Sequence, residues 1–174
     1  IRKPNYLIMQ LTKEDVTDLT GRKLVIVREF SAPVETVWNA WTSEEHFKMW
    51  WGPEGYTCPY CRIDLKVGGK YLFCMRSSNG KEYWTTGEYL EISAPVKLVY
   101  TDSFSDENGN PLPPPFDLTS AEFPEPVKVS VILLDKNGKT VMTLIHEGIP
   151  EDELKQLAEK IWNEAFDKMS AVVI

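Results

Sequence analysis

The chain of 174 residues is 43% hydrophobic and 26% charged, the composition of an ordinary globular domain, and no apolar run approaches the roughly 18 residues of a membrane span. Its formal net charge of -7 argues against a nucleic-acid partner, because such partners are bound through clusters of Lys and Arg. Three cysteines without the spacing of a disulfide framework favour a reducing compartment, so the cytoplasm is the expected location.

The first predicted elements are a strand and a helix, preceded by an N-terminal extension over residues 1–22. Residues 23–30, KLVIVREF, are rich in β-branched side chains and predict a strand. Pro33 suits the first turn of a helix. The apolar residues that follow it at helical spacing are Val34, Val37, Trp38 and Trp41. We therefore expect a helix of about three turns after the first strand.

A capping box predicts a second, short helix. Thr42, with Glu45 three residues later, has the pattern in which a hydroxyl and a carboxylate satisfy free amide groups at a helix start. We expect this helix to begin at Thr42 and to end near the sequence Trp50-Trp51-Gly52-Pro53.

From residue 56 onward the apolar pattern has a period of two, which predicts six further strands. They cover residues 56–65, 70–77, 83–92, 97–105, 127–135 and 139–146. Asn79-Gly80 and Asn137-Gly138 predict hairpin turns, and Gly68-Gly69 predicts another tight reversal. Six prolines within residues 106–126 remove backbone donors, so this segment is expected to be a loop or lid.

The C-terminal segment predicts a helix of about six turns. Pro150 and the acidic residues 151–153 are typical of a helix N-terminus. Apolar residues then follow at helical spacing at Leu154, Leu157, Ala158, Ile161, Trp162, Ala165, Phe166, Met169 and Val173. The order strand, two helices, six strands and long helix predicts an α+β fold. A curved antiparallel sheet of about seven strands would wrap around the C-terminal helix.

Several motifs occur in the order found in one known family. They are Phe30-Ser31-Ala32-Pro33, Trp50-Trp51-Gly52-Pro53, Asp64-Leu65-Lys66-Val67-Gly68-Gly69, Gly87-Glu88-Tyr89-Leu90-Glu91-Ile92, Pro95-x-Lys97-Leu98-Val99-Tyr100 and Thr140-x-Met142-Thr143-Leu144. The chain thus resembles the activator-of-heat-shock-ATPase homologues of the START-related superfamily, also called SRPBCC or helix-grip proteins. The resemblance implies one helix-grip domain over residues 23–174, with a cavity between the sheet and the long helix.

For function, the resemblance implies a binding module for an apolar or aromatic small molecule. Two alternatives come from the same superfamily. One is a co-chaperone-like regulator of a heat-shock chaperone ATPase, and the other is a cyclase-like enzyme acting on a cavity-bound polyketide or aromatic substrate. No cofactor is expected. Since one fold hosts many functions, the resemblance does not choose among these three.

The candidate ligand-binding residues are mostly aromatic. Tyr71, Phe73 and Met75 alternate along one strand, and we expect this set to face inward. The full candidate set is Trp38, Trp41, Trp50, Trp51, Tyr71, Phe73, Met75, Trp84, Tyr89, Tyr100, Phe104, Ile161, Trp162, Ala165, Phe166 and Met169. The alternative for each of them is a place in an ordinary core, where aromatic side chains also dominate.

Three cysteines allow more than one interpretation. Cys58-Pro59-Tyr60-Cys61 is spelled like a redox motif, but it leads into a strand rather than a helix, and alternation would point its two thiols to opposite faces. With Cys74, the pair could instead bind a metal ion, although no recognised ligand spacing is completed. Buried structural thiols are the third reading.

Two residues are candidates for catalysis. Asp64 could pair with an arginine such as Arg76 or accept a tryptophan N–H, or it could be a buried acid poised for proton transfer. His146 lies at the end of the last predicted strand, where it could act as an acid or base in the cavity or form a solvated corner. The chain has no nucleophile elbow and no HExxH motif.

Overall fold

The computed structural model of the protein describes residues 23–115, 126–149 and 153–174. The predicted extension at 1–22 and the middle of the proline-rich segment lie outside these ranges. The helices are α1 (Val34–Thr42), α2 (Glu44–Trp50) and α3 (Glu153–Val172). The strands are β1 (Lys23–Phe30), β2 (Thr57–Ile63), β3 (Lys70–Arg76), β4 (Glu82–Ser93), β5 (Lys97–Ser105), β6 (Val127–Lys136) and β7 (Lys139–Glu147).

The strands form one antiparallel sheet in the order β1-β7-β6-β5-β4-β3-β2. β2 to β7 follow one another as a meander, and β1 closes the row by pairing with β7. The turn between β6 and β7 has positive φ at both Asn137 (57°) and Gly138 (81°), as the hairpin signal there requires. The predicted α+β class, with a seven-stranded antiparallel sheet and a C-terminal helix, is confirmed.

The backbones of β4 and β5 approach each other closely at Gly87 and Thr101. Gly87 of β4 faces the carbonyl oxygen of Thr101 in β5, and a Cβ atom at position 87 would lie 1.7 Å from that oxygen. Only glycine fits at this point of the sheet, because no real Cβ atom approaches an oxygen so closely.

The core lies between the sheet and α3. The C-terminal half of this helix buries Ala165, Phe166 and Met169 completely or nearly so. Phe166 packs edge-on against Phe30 of β1, with ring centroids 6.4 Å apart, and against Trp41 of α1 at 6.2 Å. None of the helices in the described ranges is long and apolar enough to cross a membrane.

The predicted capping box at Thr42 is wrong. Thr42 is the last residue of α1, and its hydroxyl donates a hydrogen bond of 2.9 Å to the carbonyl oxygen of Trp38 in its own helix. Ser43 precedes α2 instead and makes no capping hydrogen bond through its side chain. Thr42 therefore belongs to the last turn of α1, and the residue at the N-cap position of α2 is Ser43.

Candidate functional site

A pocket of about 310 Å³ lies between the N-terminal half of α3, the inner face of the sheet and the loop after α2. Leu157, one of its lining residues, is 43% exposed, so the pocket reaches the surface near this side chain. The lining is formed by Trp51, Gly52, Pro53, Tyr56, Met75, Tyr83, Thr85, Asp102, Phe104, Val127, His146, Ile149, Leu154, Leu157, Ala158, Ile161, Trp162 and Ala165.

His146 is the buried titratable group of this lining, with 8% of its surface exposed. Its Nδ1 accepts a hydrogen bond of 3.1 Å from the indole Nε1–H of Trp162. Its Nε2 has no hydrogen-bond partner among the described residues. Burial lowers the pKa of His146 to about 4, because the charged imidazolium is poorly solvated there. The ring is therefore neutral at physiological pH.

Two further polar side chains line the pocket from β4 and β5. Thr85 is 8% exposed, and its hydroxyl has no hydrogen-bond partner within the described part of the chain. Asp102 accepts a hydrogen bond of 2.6 Å from the hydroxyl of Tyr71, which also lies 2.8 Å from the carbonyl oxygen of Thr101. Burial raises the pKa of Tyr71 well above its usual value, and the nearby Asp102 acts in the same direction. This tyrosine stays protonated.

The loop between α2 and β2 forms one rim of the pocket and is tied to α3 by Lys168. The ammonium group of Lys168 donates to the carbonyl oxygens of Trp51 (3.3 Å), Gly52 (3.0 Å) and Tyr56 (3.0 Å). The backbone N–H of Glu54 also donates to the carboxylate of Glu164 in α3, at 3.1 Å. Both contacts hold the rim against the helix that forms the opposite wall.

The predicted binding residues separate into two groups. Those that line the pocket are Trp51, Met75, Phe104, Ile161, Trp162 and Ala165. A second group packs in a closed aromatic cluster without room for a water molecule, formed by Trp41, Tyr71, Phe73, Tyr89 and Tyr100 among others. Trp38, Trp50, Phe166 and Met169 are buried but do not line the pocket. For these nine residues the structure favours the alternative of an ordinary core.

Trp84, another predicted binding residue, does not line this pocket. Its neighbours Tyr83 and Thr85 line the pocket, and alternation along β4 directs Trp84 to the outer face of the sheet. There it lies opposite Cys74 of β3 and beside Tyr60 of β2, with the rings of Tyr60 and Trp84 5.5 Å apart. Trp84 thus shields the outer face of the sheet.

The three cysteines that were candidate metal ligands lie in β2 and β3. Within the described ranges, no group of three or more His, Cys, Asp or Glu side chains is arranged to hold a metal ion. Cys58, Cys61 and Cys74 are all buried free thiols. Burial raises the pKa of Cys58 to about 11 and that of Cys74 to about 12, and it raises the pKa of Cys61 as well. The redox interpretation loses its thiolate for the same reason.

Asp64 is not a buried acid. It follows β2 at the surface and pairs with Lys66, with 2.9 Å between the Oδ2 and Nζ atoms and 54% of its side chain exposed. The expected partners are engaged elsewhere, since Arg76 pairs with Glu82 and the indole of Trp50 donates to the carbonyl oxygen of Ala40. Asp64 therefore lies outside the pocket.

A family model described as Activator of Hsp90 ATPase homolog 1-like protein matches residues 31–173. The chain belongs to this family. This match confirms the family predicted from the sequence motifs. The START-related superfamily predicted with it fits this family.

Solved structures agree with membership of the Activator of Hsp90 ATPase homolog 1-like family. A solution structure from Arthrobacter aurescens is 27% identical, with a TM-score of 0.74 over 90% of this chain and 88% of that one. A crystal structure from Mycobacterium smegmatis is 23% identical, with a TM-score of 0.72 over 90% and 93%. The AHSA1 protein from Silicibacter pomeroyi is 22% identical, with a TM-score of 0.67 over 86% and 95%. The comparison with curated proteins gives no match.

Sequence reasoning missed several lining residues of this AHSA1-like chain. Gly52, Pro53 and Tyr56 belong to a loop, and no periodic pattern indicates which way loop residues face. Tyr83 and Thr85 could have been found, because alternation from Tyr89 back to the start of β4 places Thr85 and Tyr83 on the inner face. Thr85 is not aromatic, so the aromatic pattern alone does not indicate it.

Proposed function

We propose that the protein is a binding module that encloses an apolar or aromatic small molecule in this pocket. The observation that carries the proposal is the lining, in which aliphatic and aromatic side chains from α3, the sheet and the rim loop surround about 310 Å³. Ligand pockets typically occupy about 300–1,000 Å³ and are mostly apolar with a few placed polar groups. A pocket at the lower end of this range suits a small ligand.

Six of the residues expected from the sequence to bind the ligand remain candidates. Trp51, Trp162 and Phe104 offer flat aromatic faces, and such faces contribute large contact areas at low entropic cost. Met75, Ile161 and Ala165 complete the apolar surface. We expect the ligand to lie between the α3 side chains and those of β3 and β5.

A variant whose pocket is filled by a larger side chain tests whether the pocket binds the ligand. Ala158 lines the pocket from α3, and Ala158→Trp would place a large side chain in its space. Ala171 is exposed on the same helix and does not line the pocket, so Ala171→Trp is the matched control. Calorimetric titration with fatty acids, sterols, flavonoids and polyketides should find a ligand that the wild type and the control bind. Its affinity should fall at least about tenfold in Ala158→Trp.

If no compound of the panel binds, or if Ala158→Trp binds as tightly as the control, the proposed function is wrong. Both proteins carry one additional tryptophan on α3, so a general effect of the added side chain would affect them alike.

The second candidate function is regulation of a heat-shock chaperone ATPase, and the description of the matching family favours it. Such an activity would use a surface of the protein rather than the pocket. Adding the chain to a purified chaperone of this class should then change its rate of ATP hydrolysis, and Ala158→Trp should act like the wild type. An unchanged rate at high concentrations of the chain, with no complex formed, would exclude this function. The cytoplasmic location expected from the cysteines remains a prediction.

A cyclase-like enzyme is the third candidate, and the position of His146 on the pocket lining is the observation that favours it. Asp64, the other catalytic candidate, does not support it because it lies at the surface. The hydroxyls of Tyr89 and Tyr100, which could have served as hydrogen-bond donors to a substrate, belong to the closed aromatic cluster. His146→Gln should abolish turnover of a bound substrate without unfolding the protein if this function is correct.

A further inference from the structure

The hydrogen bond between Trp162 and His146 determines which imidazole nitrogen carries the proton. An indole N–H can only donate, so Nδ1 of His146 must accept and cannot itself be protonated. The proton of the neutral ring is therefore on Nε2, which has no hydrogen-bond partner among the described residues. Because the ring lines the pocket and is 8% exposed, the Nε2–H is a buried donor in need of an acceptor.

The charges around the pocket determine what kind of acceptor fits. No Lys or Arg is among the described residues of the lining. Lys168 approaches the rim loop, but its ammonium group donates to the carbonyl oxygens of Trp51, Gly52 and Tyr56. A bound carboxylate would have no cation to pair with among the described residues of the lining, and burying an unpaired charge is costly.

We propose that the ligand of this pocket is an uncharged apolar molecule whose ketone or ester carbonyl oxygen accepts a hydrogen bond from Nε2–H of His146. This inference rests on the proposed function and specifies its ligand class. It excludes free fatty acids and aromatic acids as preferred ligands. It also assigns His146 the role of a hydrogen-bond donor rather than an acid or base.

Three probes of nearly equal shape test the inference. Methyl naphthyl ketone offers the neutral acceptor, ethylnaphthalene offers none, and naphthoate offers a charged one. In calorimetric titrations of the wild type, the ketone should bind roughly 3- to 10-fold more tightly than ethylnaphthalene, the effect of one buried hydrogen bond. Naphthoate should bind most weakly of the three.

Variants locate the donor. His146→Leu should bring the ratio of the ketone and ethylnaphthalene affinities close to one, whereas His146→Gln should keep most of the preference, because an amide can both accept from Trp162 and donate to the ketone. The exposed His46 provides the matched control, and His46→Leu should leave the ratio unchanged. Thr85→Val examines the other unpartnered polar group of the lining. If the preference disappears in Thr85→Val and persists in His146→Leu, the assignment to His146 is wrong.

The imidazole ¹⁵N signals of the wild type give an independent readout, even if His146→Leu fails to fold. The chain has two histidines, so His46→Leu also identifies the signals of His146. The Nε2 signal of His146 should shift when the ketone is added and should shift much less with ethylnaphthalene. Equal shifts, or equal affinities for the three probes, would overturn this inference and leave the proposed function intact. If none of the probes binds, this inference fails, and the panel of fatty acids, sterols, flavonoids and polyketides decides the proposed function.

Discussion

The side chains of Trp162 and His146 connect α3 to β7 through a single hydrogen bond, with 3.1 Å between the indole Nε1 and the imidazole Nδ1. Trp162 stacks on Phe166 at 5.5 Å and also lies 5.5 Å from Trp51 of the rim loop. The same two residues line the pocket. This contact therefore joins the packing of α3 to the polar part of the pocket.

We expect His146 to make the stability of the protein depend on pH. Its pKa is about 4 in the folded protein and about 6.5 in the unfolded chain, so the unfolded chain binds a proton where the folded one does not. The stabilisation is fully present above pH 6.5 and is lost as the pH falls toward 4. Urea denaturation should show a loss of about 3 kcal/mol from this residue over that range.

The variant His146→Gln is the control for this pH dependence, since glutamine can accept from Trp162 but does not titrate. Glutamate and aspartate side chains also destabilise the protein as they are protonated, and they do so in both proteins. The prediction concerns the difference, and equal losses of stability in wild type and variant would contradict it.

Removing the indole donor should destabilise the protein even when the aromatic volume is largely kept. Trp162→Phe leaves Nδ1 of His146 buried without a donor, which should lower the free energy of unfolding by about 1–3 kcal/mol. Trp84→Phe is the matched control on the outer face of the sheet, where a change within about 0.5 kcal/mol is expected. Thermal and urea denaturation of both variants measure the two values. Similar losses would mean that the hydrogen bond contributes little.

Lys168 should stabilise the rim loop more than an ordinary surface lysine does. In Lys168→Met the carbonyl oxygens of Trp51, Gly52 and Tyr56 lose a charged donor, and we expect a loss of about 1–2 kcal/mol. Lys160 lies on the same helix with 72% of its side chain exposed and 3.8 Å from Glu164, so Lys160→Met should cost less than about 0.5 kcal/mol. Hydrogen exchange in the rim loop should become faster in Lys168→Met alone.

The three thiols should react slowly in the folded protein. With a pKa of about 11, Cys58 has roughly a hundredfold smaller thiolate fraction at pH 8 than an ordinary cysteine, and Cys61 and Cys74 are shifted in the same direction. Labelling with Ellman's reagent should therefore be slow without denaturant and rapid for three thiols in urea. Fast labelling of the native chain, or an intramolecular disulfide between Cys58 and Cys61, would contradict this prediction.

Most of the fold could be predicted because its signals are periodic. The alternating strands and the apolar face of α3 determine which surfaces must be buried, and the predicted strand ends differ from the observed ones by no more than two residues. The prediction for Thr42 was wrong because a threonine followed three residues later by a glutamate can stand at the start of one helix or at the end of the preceding one. Only the position of the helix end, which the pattern does not give, distinguishes the two cases.

The pocket was harder to predict because a buried aromatic residue has the same sequence pattern whether it packs against other rings or faces an empty space. Phe73 illustrates the difficulty, since it stacks on Phe47 at 4.1 Å and on Tyr71 at 4.2 Å, and no room is left beside it. Trp51, which lies in the loop between α2 and β2, does face the pocket. The orientation of Cys58 and Cys61 was hard to predict for a different reason. Regular alternation would point the two thiols to opposite faces of β2, but a register shift between Thr57 and Tyr60 interrupts that alternation.

The absence of a side chain at position 87 has a consequence for the width of the pocket. Any larger residue would push the carbonyl oxygen of Thr101 away and separate β4 from β5. Thr85 lies on β4, and Asp102 and Phe104 lie on β5, so the same separation would widen the floor of the pocket. Gly87 does not line the pocket, yet its missing side chain sets the separation of the two strands that do.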